Sequence, residues 1–123
     1  MFSHVMVGTN DMDRSRHFYD ALFGIDAHVD DRGRLRYARD GAVFMVSKPI
    51  DGAPATHANG GTIGFRFDSP EEIDEWHRRG VEAGGMSVED PPGWRERATG
   101  SLYLAYLRDP DGNKLCALHR RAE

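Results

Sequence analysis

Few side chains in this chain are equipped for chemistry, and they do not form a dense catalytic motif. His4 is the first, a general acid or base if it faces a ligand and a structural, hydrogen-bonding imidazole otherwise. Arg66 carries a planar guanidinium that suits a bidentate clamp on a carboxylate or phosphate; the alternative is an ion pair at a sheet rim. Trp94-Arg95-Glu96-Arg97 sets one aromatic among cations directly after Pro91-Pro92-Gly93. That composition fits a loop that closes over a ligand through Trp94 and Arg97, or one that Trp94 merely anchors in the core. His57 reads as a loop residue able to complete a site on closure, whereas His17, His77 and His119 read as solvated. Cys116 is the single cysteine, which excludes an intrachain disulfide and any zinc site built on two thiolates.

The charge balance narrows the partners. Sixteen Lys and Arg stand against twenty Asp and Glu in 123 residues, a net charge of −4 with both signs interspersed. Binding to nucleic acid or to an anionic membrane draws on clustered positive charge, so neither is an expected partner. The longest apolar run, Ala42 to Val46, falls far short of the roughly twenty residues that span a bilayer. Asp11, Asp13 and Arg14 interrupt the N-terminal apolar stretch before it reaches signal-peptide length. With one cysteine, the expected setting is reducing and cytoplasmic. Hydrophobic residues at 39% exclude wholesale disorder and suffice for one core.

The elements that must position these groups follow from periodicity and capping. Phe2 to Gly8 reads as a strand and Asp11 to Phe23 as a helix stopped by Gly24, with Met12, Ser15, Phe18 or Tyr19, and Leu22 inward. Ile25 to Val29, Leu35 to Arg39 and Ala42 to Ser47 read as three antiparallel strands, the last two joined by the hairpin signal Asp40-Gly41. The pattern then restarts beyond a linker at 49–60. Thr62 to Phe67 reads as a strand, and Ser69-Pro70-Glu71-Glu72 gives a Ser cap, Pro in the first turn and Glu three residues after the cap. That helix carries Ile73, Trp76 and Val81 inward and ends at Gly84-Gly85. Met86 to Val88, a loop from Asp90 to Gly100, Ser101 to Arg108, a turn at Asp109-Pro110-Asp111-Gly112 and Asn113 to His119 complete the second half.

Sliding the chain by 58 sets His4-Val5-Met6-Val7-Gly8 over Thr62-Ile63-Gly64-Phe65-Arg66, and sliding it by 69 sets Tyr37 over Tyr106. The expected fold is therefore α+β, with two βαβββ modules, residues 1–48 and 61–119, related by a pseudo-twofold axis. Their curved, mixed sheets enclose a cleft within a single domain spanning 1–123. Strand alternation puts His4, Met6 and Gly8 on one face with Thr62, Gly64 and Arg66, and leaves Ile63, Phe65 and Phe67 for the helix side. Arg66 then points toward the cleft. Lys114, Cys116 and Leu118 share a face of the last strand, with Lys114 expected in solvent.

The whole chain resembles the vicinal oxygen chelate superfamily, which holds glyoxalase I, the bleomycin- and fosfomycin-resistance proteins and the extradiol dioxygenases. The resemblance rests on His4-Val5 with Asp11-Met12-Asp13-Arg14-Ser15-Arg16-His17-Phe18-Tyr19-Asp20-Ala21-Leu22-Phe23-Gly24, on Ser69-Pro70-Glu71, and on Tyr106-Leu107-Arg108-Asp109-Pro110-Asp111-Gly112-Asn113-Lys114-Leu115. It implies metal ligands on the first and last strands of each module, which fall here on His4, Met45, Thr62 and Cys116. Cys116 stands where the superfamily's Asp-Pro-Asp-Gly-Asn-x-x-Glu would place its Glu. Three of the four positions have lost the expected ligand type, and Thr, Met and Cys supply no carboxylate to offset a hard divalent charge. His4, Met45 and Cys116 retain the chemistry of a soft site for Cu(I) or Zn²⁺, although Met and buried Cys more commonly serve as plain cleft lining.

The expected function is thus a glyoxalase/bleomycin-resistance-like protein that binds a small anionic or aromatic molecule without the usual divalent metal. Met45, Thr62, Arg66, Trp94, Arg97 and Cys116 would contact the ligand, with His4 as the one catalytic candidate. No cofactor is expected; a divalent metal belongs to the second reading, a metal-dependent lyase, isomerase or dioxygenase that recruits His57 or a partner chain. A third reading is a ligand-free structural or regulatory dimer. Relatives of this length commonly form twofold dimers, so a homodimer is expected.

Overall fold

The computed structural model describes residues 1–122. Its first half contains β1 (Val5–Gly8), α1 (Met12–Phe23), β2 (His28–Val29), β3 (Leu35–Arg39) and β4 (Ala42–Ser47). The second half contains β5 (Ile63–Arg66), α2 (Pro70–Glu82), β6 (Met86–Ser87), β7 (Gly93–Arg97), β8 (Gly100–Arg108) and β9 (Lys114–Arg120). Local chemistry sets both helices. The Asp11 carboxylate accepts the Arg14 N–H at 3.0 Å and Gly24 closes α1 at φ 68°, where a side chain would be strained. Ser69 Oγ accepts the Glu72 N–H at 3.2 Å, with Pro70 in the first turn of α2. Asp40 and Gly41, at φ 54° and 78°, form the two-residue hairpin turn that both positive angles favour.

Two mixed sheets result, ordered β1-β4-β3-β2 and β5-β9-β8-β6, with β7 also on β8. Each begins with a parallel pair, Met6 opposite Met45 in one and Gly64 opposite Cys116 in the other, which displays the pseudo-twofold relation. Both helices and the helix-side rows of both sheets merge into one core: Phe18, Tyr19, Val46, Ile73, Leu107 and Leu115 are fully buried. A run of aromatic contacts, Tyr19–Phe44 at 5.0 Å, Phe44–Phe65 at 5.7 Å and Phe65–Trp76 at 6.4 Å, crosses from one module to the other. Among the described residues no helix is long and apolar enough to cross a membrane.

Several elements differ from the sequence-based expectation. Residues 93–97, expected in a loop, form β7 and pair with the first half of β8 from Gly93 opposite Leu104 to Arg97 opposite Gly100. The strands expected from Phe2 and from Ile25 start only at Val5 and His28. Val81, expected inward, is 44% exposed; Gly80 takes the buried place, where a Cβ would stand 2.3 Å from Leu107 Cδ1. Tyr37 and Tyr106 are not equivalent. Tyr37 lies opposite Phe44 on the helix side, whereas Tyr106 lies opposite Cys116 on the other face, because the β8–β9 turn is longer than Asp40-Gly41. A one-residue slip in a strand reverses the face a side chain meets.

Candidate functional site

A cleft of about 350 Å³ opens between the two sheets. Its walls are aromatic: Phe23 from α1, Tyr37 and Phe44 from the four-stranded sheet, Phe65 and Phe67 from the other. Val5 and Ile63 add aliphatic surface, and Arg39, Asp40 and Arg66 supply polar groups. Arg39 donates to the Phe23 carbonyl at 2.7 Å and so is partly committed to the end of α1. Arg66 is different. It sits opposite Leu118 on β5, exposed, and among the described residues it makes no ion pair or hydrogen bond. An apolar pocket with one uncommitted guanidinium has the form of a site for an anionic molecule with a hydrophobic body.

Of the residues expected from sequence to contact a ligand, Arg66 alone lines this cleft. Its aromatic walls come from the helix-side rows, the opposite parity from Met45 and Cys116. Cys116 instead packs with Leu102, Leu104, Tyr106 and Leu118 on the far face of the five-stranded sheet. Burial raises the Cys116 thiol pKa, only partly opposed by its hydrogen bond with Tyr106, and burial together with Cys116 raises the Tyr106 phenol in turn. Lys114, expected in solvent, is mostly covered: it pairs with Glu89 and lies 5.0 Å from the Tyr106 ring centre.

The lid expected at 94–97 is absent, because those residues belong to a sheet. Trp94 faces away from Cys116; it packs edge-on against Tyr103 at 5.3 Å and near His119 at 6.1 Å, with Arg121 over its ring at 4.3 Å. Arg97 is exposed and turned onto the Glu96 carbonyl at 2.9 Å. The cation that reaches toward the Cys116 face is Arg95, which donates to the carbonyls of Gly93 at 2.8 Å, Leu104 at 3.0 Å and Asp90 at 3.0 Å. Alternation along 93–97 would have found it, had the segment been read as a strand. His77 and His119 are half-buried rather than solvated, bonded to Ser87 Oγ at 2.9 Å and the Phe67 carbonyl at 3.0 Å.

The positions that the family resemblance assigns to a metal do not fit one. His4 and Thr62 are exposed just ahead of β1 and β5, and the His4 ring is hydrogen-bonded to Ser3 Oγ at 2.8 Å. Met45 is buried with the cationic Arg36 Nη1 3.9 Å from its sulfur, a neighbour that opposes a second cation. Cys116 holds its proton more firmly than a free thiol, the reverse of what a thiolate ligand needs. Neither carboxylate nor a group of three His, Cys, Asp or Glu side chains gathers there among the described residues. His57 packs over Gly112, with its Nδ1 donating to the Ala58 carbonyl.

A polar network centred on the Asp109-Pro110-Asp111-Gly112 turn joins the modules. Asp111, its side chain 2% exposed, accepts Thr9 Oγ1–H at 2.6 Å, the Asn10 N–H at 2.9 Å and Arg14 Nη2–H at 2.8 Å, while Ser15 donates to Thr9 at 2.6 Å. Asp109 accepts the Tyr19 hydroxyl at 2.5 Å and Asn113 Nδ2–H at 2.8 Å. Burial first, and Asp109 second, hold the Tyr19 phenol well above its ordinary pKa. The Asp-Pro-Asp-Gly-Asn segment thus fastens the β8–β9 turn to the β1–α1 corner.

Comparison with known proteins agrees with this architecture. The model of the Glyoxalase/Bleomycin resistance protein/Dioxygenase superfamily matches residues 1–117. The structure of a glyoxalase/bleomycin resistance protein from Albidiferax ferrireducens T118 is similar over 98% of this chain and 99% of that one, with 52% identity and a TM-score of 0.93. A glyoxalase/bleomycin resistance protein/dioxygenase family enzyme from Burkholderia phytofirmans PsJN has 19% identity, a TM-score of 0.77 and coverage of 97% and 98%. A lactoylglutathione lyase from Agrobacterium tumefaciens has 20% identity, a TM-score of 0.69 and coverage of 97% and 92%. The last two share the fold alone. No protein of curated function matches the sequence.

Proposed function

The chain belongs to the glyoxalase/bleomycin resistance protein/dioxygenase superfamily, and we propose that it binds a small anionic molecule with an apolar body, without the usual divalent metal. The observation that carries this reading is the uncommitted Arg66 guanidinium on the rim of an aromatic-walled cleft. The rings accept a flat or branched hydrophobic body, and the guanidinium fixes its carboxylate or phosphate. Metal-dependent lyase, isomerase or dioxygenase chemistry is the second reading, and the donor set at His4, Met45, Thr62 and Cys116 speaks against it. β1 and β5 each end a sheet with one edge open among the described residues, which supports assembly into a twofold homodimer with an interface of roughly 1,600 Å². The lone buried Cys116 suits a reducing, cytoplasmic setting.

The test is a calorimetric screen of aryl and alkyl carboxylates and phosphates against the full chain, repeated on Arg66→Ala. A charge-assisted contact contributes roughly 1.5–3 kcal/mol, so the variant should bind the best ligand about tenfold to a hundredfold more weakly while keeping its fold. Unchanged affinity would overturn the assignment of Arg66. Elemental analysis finding about one Ni, Zn, Mn or Fe per chain, lost in His4→Ala, would favour the second reading.

A further inference from the structure

We infer that the anionic end of the ligand is a phosphate monoester seated in a second groove continuous with the cleft at Arg66; the inference rests on the cleft reading above. This groove, of about 560 Å³, lies at the C-terminal ends of β5 and β9 and shares Gly64, Phe65, Arg66 and Phe67 with the aromatic cleft. Its other contributors include His119 and Arg120. One strand, β5, therefore walls both spaces. A Cβ built on Gly64 would meet nothing within 4 Å, so the passage over the strand beside Arg66 is open.

The chemistry differs between the two spaces. The cleft offers aromatic rings with Arg66 at its rim and Arg39 bonded to the Phe23 carbonyl, whereas the groove adds a further guanidinium, Arg120, on the face that Arg66 shares with Leu118. Arg120 gives only Nη1–H away, to the Thr99 carbonyl at 3.1 Å, and its other donors remain available. His119 donates through Nδ1 to the Phe67 carbonyl at 3.0 Å, which fixes its tautomer and leaves Nε2 as the free ring nitrogen. One carboxylate, Asp68, also lines the groove, and it makes no ion pair among the described residues. Two guanidiniums against one carboxylate leave net positive charge beside an apolar chamber. A carboxylate can engage one guanidinium fork fully; a phosphate, with three terminal oxygens and nearly two charges, can engage both.

The experiment measures binding of 1-naphthyl phosphate, 1-naphthoate and inorganic phosphate by calorimetry to the full chain and to Arg120→Ala, Asp68→Asn and Arg66→Ala. Naphthyl phosphate should bind about tenfold more tightly than naphthoate. Arg120→Ala should abolish that preference without changing the affinity for naphthoate, and Asp68→Asn should strengthen the phosphate alone, by roughly twofold to fivefold. Equal affinities in the parent protein, or a preference that survives Arg120→Ala, would overturn the phosphate assignment and leave the cleft reading in place. Inorganic phosphate binding as tightly as naphthyl phosphate would also overturn it, since the cleft would then add nothing. Failure of both aryl ligands, with Arg66→Ala without effect, would remove the cleft reading as well.

Discussion

Replacing Asp111 by Ala removes the acceptor at the centre of the joint between the modules. Four donors lose a bond: Thr9 Oγ1–H, the Asn10 N–H, Arg14 Nη2–H and Ser15 Oγ–H, the last at 3.2 Å. Their losses are unequal. Arg14 is 46% exposed, so its ion pair is screened and contributes at most about 1 kcal/mol. The Asn10 N–H is close to solvent and recovers much of its bond from water. Thr9 is fully buried, and its hydroxyl must either turn to the Asp11 carbonyl at 3.1 Å or stay unsatisfied, while Ser15 still donates to it. With charge-assisted bonds at roughly 1.5–3 kcal/mol each, and the exposed pair discounted, Asp111→Ala should lower stability by about 2–4 kcal/mol. Arg14→Ala should lower it by less than about 1 kcal/mol. Urea unfolding followed by circular dichroism gives both numbers, with an unchanged slope showing that two-state behaviour persists. A loss below about 1 kcal/mol for Asp111→Ala, or equal losses for the two variants, would refute the claim that this carboxylate fastens the modules.

Gly80→Ala should destabilise the fold by about 1–3 kcal/mol even though Ala favours helices, because its Cβ would meet Leu107 Cδ1 at 2.3 Å and Leu22 Cδ1 at 3.0 Å; a raised melting temperature would contradict this. All four tyrosines should resist ionisation in the folded state. Burial raises each of them, with Asp109 adding at Tyr19, Asp20 at Tyr37 and Asp74 at Tyr103, which is pushed up to about 12. A phenol pKa raised by folding contributes stability that is complete below about 10, the unfolded value, and is lost as pH rises through the folded one. Absorbance at alkaline pH should therefore show tyrosinate appearing together with unfolding; a normal tyrosine titration in protein that stays folded would count against it.

The parts of the fold legible in the sequence are those fixed by neighbours in the chain. Asp11 and Gly24 bracket α1 through contacts three and four residues away, and Ser69-Pro70 starts α2 the same way. β7 was not legible because its stability comes from a ladder on β8 rather than from its own composition. Gly93-Trp94-Arg95-Glu96-Arg97 holds one apolar residue in five and follows two prolines, as suits a charged outer strand. β2 and β6, with two residues each, carry too little pattern to delimit. The Asp109 and Asp111 carboxylates gave no hint of their partners, since Tyr19 and Thr9 are 90 and 102 positions away.

The same distinction separates what was legible in the candidate site from what was not. Alternation along β5 is a local rule: Ile63 and Phe65 turn into the core while Arg66 shares the face of Leu118, so Arg66 meets the cleft at its rim and not from the row that walls it. Which row of each sheet lines the cleft is a question of how two sheets pack, and the helix-side aromatics won it: Phe44 and Phe65 meet at 5.7 Å and leave the space beside them. Met45 and Cys116, where the family resemblance implies metal ligands, therefore lie outside this cleft. On the proposed metal-free reading, a buried carboxylate at either place would be an unpaired ion. Thioether and protonated thiol fill the volume with no such penalty, and on the same proposal recognition falls to the Arg66 guanidinium at the cleft's rim.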